Sequence, residues 1–359
     1  MLNSPIKVGT LEVPNRVFLA PLAGVSDVPF RRICQELGAG LTFVEMLTAG
    51  SVLYSTRRSM QAMERHRDEP MLGVQVTGPS AEMVADAVGV LDKGDFDLID
   101  INMGCPVKKV VSKGSGSAIL KDLDRVSETV RRSREATTKP LSIKVRLGFE
   151  RENIVIEELG QRITEAGADM FTVHGRTRSE NYGTPVDYGG IEEGVSTARS
   201  LSEEIVTVGN GDIMDNATAR TMQTRTGCDA VMVSRGALGN PWIFREAVTD
   251  SDSHTTPNEW LDVLLRHLTY HETFYGDDIR SAVLARKHLL WYVNGFPNIK
   301  ALREELSLIT DLGRAKRLIE DFVATMHPDQ LRYQNEPRPE TFDPKYDMDR
   351  KNDRAAADE

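Results

Sequence analysis

The sequence predicts an α/β protein: a (β/α)8 TIM barrel with a C-terminal helical-bundle domain. Three observations carry that expectation. Between residues 16 and 250, short runs rich in Val, Ile, Leu and Phe alternate with segments of helical period, and eight such runs can be counted. Beyond residue 250 the apolar residues recur only at helical spacing. Polar and charged side chains gather at the C-terminal ends of the runs, which is where a barrel of this kind builds its active site.

In chain order the runs are "RVFLAPL", "LTFVEML", "MLGVQVTG", "DLIDINMG", "LSIKVRLG", "MFTVHGRT", "EIVTVGNGD" and "AVMVSRG". Eight strand-helix repeats over about 235 residues have the size and order of a TIM barrel. Amphipathic stretches lie between the runs, such as "SAEMVADAVGVLDKG" and "NIVIEELGQRITEAG", the second closing on Gly167 as a helix C-cap. A doubly wound open sheet is the alternative, because a count of strands does not show closure. After the last run, "TPNEWLDVLLRHLTYHETFYG" opens with Thr256 as N-cap, Pro257 in the first turn and Glu259 three residues on. That spacing is a capping-box pattern. Trp260, Val263, Leu264 and Leu268 follow at helical spacing, and further helices are expected at 279–293, 298–309 and 311–326. The expected organisation is a catalytic barrel over 1–250, a helical domain over 251–330 and a polar, mobile tail over 331–359, where Pro, Asp and Arg dominate.

With 359 residues the chain is long enough for one large core and a smaller one. No apolar stretch approaches the length of a membrane span, and the first thirty residues lack the features of a secretory signal. A cytoplasmic monomer is expected. The three cysteines, Cys34, Cys105 and Cys228, are far apart with no CxxC pair. Neither a disulfide framework nor a structural zinc site is therefore suggested, and no metal is expected. A net charge of −10 points away from a polyanionic partner. Charge can be local, however. Arg and Lys gather at Arg57 and Arg58, from Lys108 to Lys113, from Arg131 to Arg134, at Arg176 and Arg178, and at Arg286 with Lys287. On composition alone these read as solvated helix faces.

The run ends hold the chemistry. The first is followed by Pro21, Leu22, Ala23 and Gly24; the third carries Gln75; the fourth runs into Asn102 and Cys105; the fifth carries Lys144 and Arg146. His174 and Arg176 end the sixth, Asn210, Gly211 and Asp212 the seventh, and Ser234, Arg235 and Gly236 the eighth. Each alone is explained as a satisfied core group. Together they are not, because buried polar groups cost free energy unless paired. Phosphate groups in this fold are often bound by the loops after strands 7 and 8, and "VGNGDI" and "VSRGAL" supply small residues for close backbone approach. A lysine and a glutamine inside the barrel fit a phosphorylated ring cofactor across its mouth. Lys144 would face negative charge on a reduced flavin, and Gln75 the pyrimidine edge of the ring. A Schiff-base aldolase is the alternative reading of Lys144.

The segments "APLAGVSDVPFRRICQELGAGLTFVEML", "GVQVTG", "DLIDINMGCPVKKVVSKGSGSAIL", "IKVRLG", "TVHGRTR", "NGDI", "GNPWIFRE" and "ARKHLLWYV" resemble, in order and spacing, the tRNA-dihydrouridine synthases over roughly residues 10–325. The resemblance implies an FMN-binding TIM barrel and a helical domain that holds tRNA. It also implies reduction of the C5=C6 bond of particular uridines, with NADPH (or NADH) as reductant. Carried over by position, Pro21, Leu22 and Ala23 would lie against the flavin by their backbone, and Gln75 and Lys144 would bind its ring. Asn210, Gly211, Asp212, Ser234 and Arg235 would hold the ribityl phosphate region, with His174 beside flavin and uracil. The family commonly has Gly-Arg after strand 8 where this chain has Ser234-Arg235. Cys105 matches the general acid that protonates C5 while hydride reaches C6. Asn102, Lys108, Lys109 and Arg146 would lie by the substrate, and Arg176, Arg178, Arg286 and Lys287 would form the phosphate track. A flavoenzyme acting on a free pyrimidine or small enone, and a tRNA-binding protein that only remodels its ligand, are the competing readings.

Overall fold

Eight parallel strands form the barrel in the computed structural model: β1 Val17–Leu19, β2 Thr42–Phe43, β3 Leu72–Thr77, β4 Leu98–Asn102, β5 Leu141–Arg146, β6 Met170–His174, β7 Val206–Asn210 and β8 Ala230–Val233. The structure describes residues 1–251, 255–296 and 298–327, without the side chain of Arg58; the expected tail over 331–359 lies outside the described residues. Consecutive strands from β2 to β8 pair in parallel, and β8 pairs with β1 through Val231↔Val17. The remaining seam is joined by a parallel bridge between Phe18 and Leu41, where the Leu19 N–H donates to the Leu41 carbonyl at 2.9 Å. Closure rules out the doubly wound sheet.

The strands are apolar on both faces because one face meets the barrel interior and the other the surrounding helices. Below, a hairpin of Ile6–Val8 and Leu11–Val13 sends Val8 and Val13 into the cluster of Phe18, Phe43, Leu98, Met170 and Met232. It plugs the N-terminal end of the barrel. Gly73 is required here, since a Cβ would stand 2.5 Å from the Phe43 ring. Outside, helices Ala81–Asp92, Leu123–Glu135, Tyr188–Leu201 and Asn216–Thr226 are each opened by a side chain that accepts a first-turn N–H, from Ser80, Asp122, Asp187 and Asp215 respectively.

Two runs differ from the expectation. "LTFVEML" breaks into β2 and a second short strand, Leu47–Thr48, both pairing with β3. Between the two pieces Glu45 turns aside to accept the Gly24 N–H at 2.7 Å. In "NIVIEELGQRITEAG", Asn153–Ile154 pairs with Gly148–Glu150 and the helix starts at Ile156. The β-branched residues ahead of the helix favour that strand.

The first barrel helix, α1 (Val28–Glu36), is capped by Asp27, which accepts the Phe30 N–H. Among the described residues four helices follow the barrel: α2 Pro257–Tyr275, α3 Ile279–Tyr292, α4 Lys300–Leu308 and α5 Leu312–Ala324. Thr256 caps α2 at the Glu259 N–H, while the Glu259 carboxylate pairs with Arg245. The helices share a core of Trp260, Leu264, Leu289, Leu306 and Ile319, into which Ile33 and Leu37 of α1 and Trp242 also insert. The helical unit is thus seated on the barrel by apolar packing, each fully buried Leu or Ile contributing about 1.5–3 kcal/mol. Among the described residues no helix is long and apolar enough to cross a membrane.

Candidate active site

A chain of hydrogen bonds starts inside the barrel and ends at the backbone of Cys105. Gln75 on β3 donates from Nε2 to Asp100 Oδ2 at 2.6 Å and accepts at Oε1 from Asn102 Nδ2 at 2.9 Å. The other end of the Asn102 amide, Oδ1, accepts the N–H groups of Gly104 at 3.1 Å and Cys105 at 2.8 Å. From the far side, Ser117 donates to the Cys105 carbonyl through both its N–H at 3.1 Å and its hydroxyl at 2.9 Å. Thr77 completes the clamp, donating to the Asn102 carbonyl and accepting the Gly116 N–H. Gly116 has φ +59°, and a Cβ there would meet the Cys105 carbonyl oxygen at 2.8 Å. The "GCP" and "GSA" segments therefore fit together as two sides of one loop.

Cys105 is half-buried, and burial raises its thiol above the ordinary value, against the Val107 N–H and the charges of Arg146 and Lys144. The exposed Lys108 and Lys109 are not among the charges acting on it. At neutral pH the sulfur keeps its proton.

On the opposite wall, Lys144 donates from Nζ to Asn210 Oδ1 at 2.9 Å, and Asn210 donates to the Met232 carbonyl at 2.7 Å and to Ser234 Oγ at 3.1 Å. Burial lowers Lys144 to about 8, against the attraction of Asp100; burial likewise raises Asp100 to about 6, against the Gln75 amide and Lys144. His174 is buried and neutral, held well below its usual range by burial and by four cations, Arg146, Lys144, Arg176 and Arg235. Asp212, in a left-handed conformation at φ +48°, accepts from both Arg176 and Arg235. Beside it Gly211 has φ +127°, and a Cβ there would meet Val186 at 2.8 Å and the His174 ring at 3.0 Å. Ser234 has φ −114° and ψ −101°, so the position does not call for the positive φ that favours glycine.

Pro21 and Leu22 are half-buried and Ala23 exposed at the same end of the barrel, where the Leu22 N–H donates to Ser26 Oγ. The expected phosphate track is not an exposed stripe. Arg176 is 1 % exposed, with its guanidinium committed to Asp212 and to the carbonyls of Tyr182 and Thr184. Arg146, expected by the substrate, is buried and donates to the Thr177 carbonyl at 2.6 Å. Arg178 is half-buried with its guanidinium 5.1 Å from the Phe149 ring. Within the helical unit Arg286 donates to the Ile309 carbonyl that ends α4, and Lys287 donates to the Gly24 carbonyl of the barrel. Asn102 likewise has its amide engaged by the chain itself. Sequence reasoning missed Asp100, Thr77 and Tyr182, whose ring lies 4.1 Å from the Arg235 guanidinium. Only Asp100 carried a signal, an acid inside the apolar run "DLIDI".

The mouth thus joins a protonated, backbone-clamped thiol to a concentration of fixed positive charge. Such a cavity suits an anionic ring ligand beside a group that must take up a proton.

The family model described as dihydrouridine synthase matches residues 18–327. The tRNA-dihydrouridine synthase B of Pasteurella multocida is 35% identical over 311 residues, covering 85% of this chain and 92% of that protein. The probable tRNA-dihydrouridine synthase of Rickettsia conorii is 32% identical over 336 residues, covering 91% and 99% respectively. In fold the chain is similar to histamine dehydrogenase from Rhizobium sp. 4-9, with a TM-score of 0.54 at 12% identity, over 91% of this chain and 65% of that one. A 2-naphthoyl-CoA reductase gives a TM-score of 0.55 at 10% identity, over 70% of this chain and 52% of that one. At such identities the likeness is one of fold alone.

Proposed function

The chain belongs to the dihydrouridine synthase family, and from that premise we propose that it is an FMN-dependent tRNA-dihydrouridine synthase. It would reduce the C5=C6 bond of uridines in tRNA with NAD(P)H as electron donor, in the cytoplasm. The observation that carries this reading is the Cys105 loop, held by Asn102 and Ser117, at the barrel end where Lys144 reaches Asn210 and where Arg176 and Arg235 share Asp212.

The donor set fits the cofactor. Lys144 and Gln75 offer an ammonium and an amide where the ring would lie, with His174 and the backbone of Pro21, Leu22 and Ala23 at its borders. Around the phosphate we place Asn210, the Gly211 turn, Ser234 and Arg235; Asp212 positions Arg235 rather than touching the anion, because two carboxylate oxygens beside phosphate would repel it. FMN held by these residues would supply the hydride for C6 of uracil.

The chain's own part is the proton. Held through both its N–H and its carbonyl, Cys105 presents a protonated thiol, and transfer to C5 leaves a thiolate facing Arg146 and Lys144, whose charges stabilise it. The clamp by Asn102 and Ser117 keeps the sulfur from drifting, which matters because small misplacement at a reacting atom is costly. A uridine reaches this depth only out of its stack, and tRNA loops offer it cheaply. Lys108, Lys109 and Arg178 border the opening and are assigned to tRNA, while Arg286 and Lys287 order the surface that receives it.

Purified protein should carry FMN and form dihydrouridine in unmodified tRNA with NADPH, with affinity for tRNA falling as salt rises. A protein that cannot be loaded with FMN, or a Cys105→Ala variant as fast as wild type, overturns the reading.

A further inference from the structure

At the seam between barrel and helical unit lies a second buried group of titratable side chains. His267 and His271 stand one turn apart on α2, His288 faces them from α3, and Asp27 caps α1 of the barrel. Exposure is 2%, 1%, 3% and 7% respectively. One ligand atom each from Asp27, His267 and His288 lie within 4.8 Å of one another. His271 Nε2 stands 3.8 Å from Asp27 Oδ2.

These rings are poorly satisfied. His267 Nδ1 meets the Tyr292 hydroxyl and His271 Nδ1 the Ser281 hydroxyl, but the Nε2 atoms of both have no hydrogen-bond partner. For His288 neither ring nitrogen has one. Leaving a buried donor or acceptor unpaired costs about 1–3 kcal/mol each. Buried water does not remedy this, because the space between the rings, lined also by Leu264, Leu268, Ala285 and Leu289, does not admit a water molecule. Asp27 is also tethered, accepting the Phe30 N–H at 3.1 Å and the Tyr275 hydroxyl at 3.1 Å. Lys287, next to His288, directs its ammonium to the Gly24 carbonyl.

We propose that Asp27, His267 and His288, with His271 as fourth donor, form a structural site for zinc or another divalent transition ion that ties the helical unit to α1 of the barrel. The chemistry selects the ion. Imidazole nitrogens with one carboxylate suit zinc and its neighbours, whereas calcium and magnesium want all-oxygen shells. A fully enclosed four-donor set has no open position and so holds rather than catalyses. Ligand atoms of tetrahedral zinc stand about 3.3 Å apart at ordinary bond lengths, so binding would draw the rings together by rotamer adjustment. The rings are already in the neutral form that metal binding needs: burial lowers His267 to about 3 and His271 to about 4, and holds His288 well down.

The test uses the untagged full chain, since an oligohistidine tag would bind metal itself. Elemental analysis after desalting should find about one zinc or like ion per chain. After chelation, Zn2+ alone should raise the thermal midpoint, and Co2+ should develop the visible absorption of a tetrahedral nitrogen-ligated centre. In His288→Gln the metal content should fall on the order of tenfold or more, with FMN content unchanged. Trace metal in wild type together with no thermal response to Zn2+ overturns the proposal, as does metal retained in full by the double variant His267→Gln/His288→Gln. If the variants do not fold, wild type decides alone: no Co2+ absorption, no site. These readouts do not depend on uridine reduction, so failure here leaves the catalytic reading standing, and the reverse holds too.

Discussion

The barrel mouth and the histidine seam are both buried and polar, but they are wired differently. At the mouth the polar atoms form chains: Asp100, Gln75 and Asn102 lead to the Cys105 loop, Lys144 leads through Asn210 to Ser234, and Asp212 joins Arg176 to Arg235. In the seam, four ring nitrogens of His267, His271 and His288 end without a partner. The mouth is tied together by this chain's own groups, with Asp100 Oδ1 as a buried exception, and is in that sense preorganised before any ligand arrives. A disconnected cluster has ring nitrogens to spare, and these are what the proposed ion would use.

The sharpest way to break the comparison is at the end of the first chain. Cys105→Ala should lower the rate at which tRNA oxidises the reduced protein by on the order of 10²–10⁴-fold in single turnover, with flavin content intact. A loss below about tenfold would mean the network does not end at a working acid. On the other side, Trp260→Ala removes a fully buried ring whose Nε1 donates to the Tyr292 carbonyl, at a cost of about 3–5 kcal/mol. Hydrogen exchange should then lose protection over α2–α5 while the barrel strands keep theirs. Uniform loss would show that seam and barrel unfold as one. Smaller again is Asn102→Ala, which strands the Gly104 and Cys105 N–H groups; about 1–3 kcal/mol of stability is lost. Here kcat should fall with KM nearly unchanged, since the thiol is present but no longer held; a change in KM alone would assign Asn102 to substrate contact instead.

The mildest effect comes from pH. With its folded-state value at about 8, Lys144 is charged below that pH and neutral above it. Cys105, raised by burial, keeps its proton over the same interval. The reductive rate should therefore fall as pH rises through about 8, by at most tenfold per unit. A profile that stays flat to about pH 9 would detach the Lys144 charge from the reaction.

Much of this architecture was legible in the residue order. All eight barrel strands lie in the apolar runs, because a strand covered on both faces has no polar side to interrupt it. The same logic exposed the mouth residues, which are polar where the run should have stayed apolar. Legibility fails where partners are far apart in sequence. Nothing near Arg176 says that it will be buried against Asp212, and nothing near Arg286 says that it will end α4 at Ile309. A basic residue after a strand reads as a surface charge until the fold supplies its carboxylate. The histidine cluster shows the same limit: the i, i+4 spacing of His267 and His271 was visible, but His288 and Asp27 arrive only through tertiary packing. Cysteine spacing, on which the expectation of no metal rested, carries no trace of this cluster.

One contact bears on how this protein is inherited and rebuilt. The Gly24 peptide, in the loop after β1, is gripped from two sides, its N–H by Glu45 of the barrel and its carbonyl by Lys287 of the helical unit. The two parts are therefore not interchangeable modules. A chimaera that joins this barrel to a relative's helices would need to carry Lys287 with Gly24, or accept a reshaped loop at the catalytic opening. Variation in one part is in this way constrained by the other, and the pair should change together over evolutionary time.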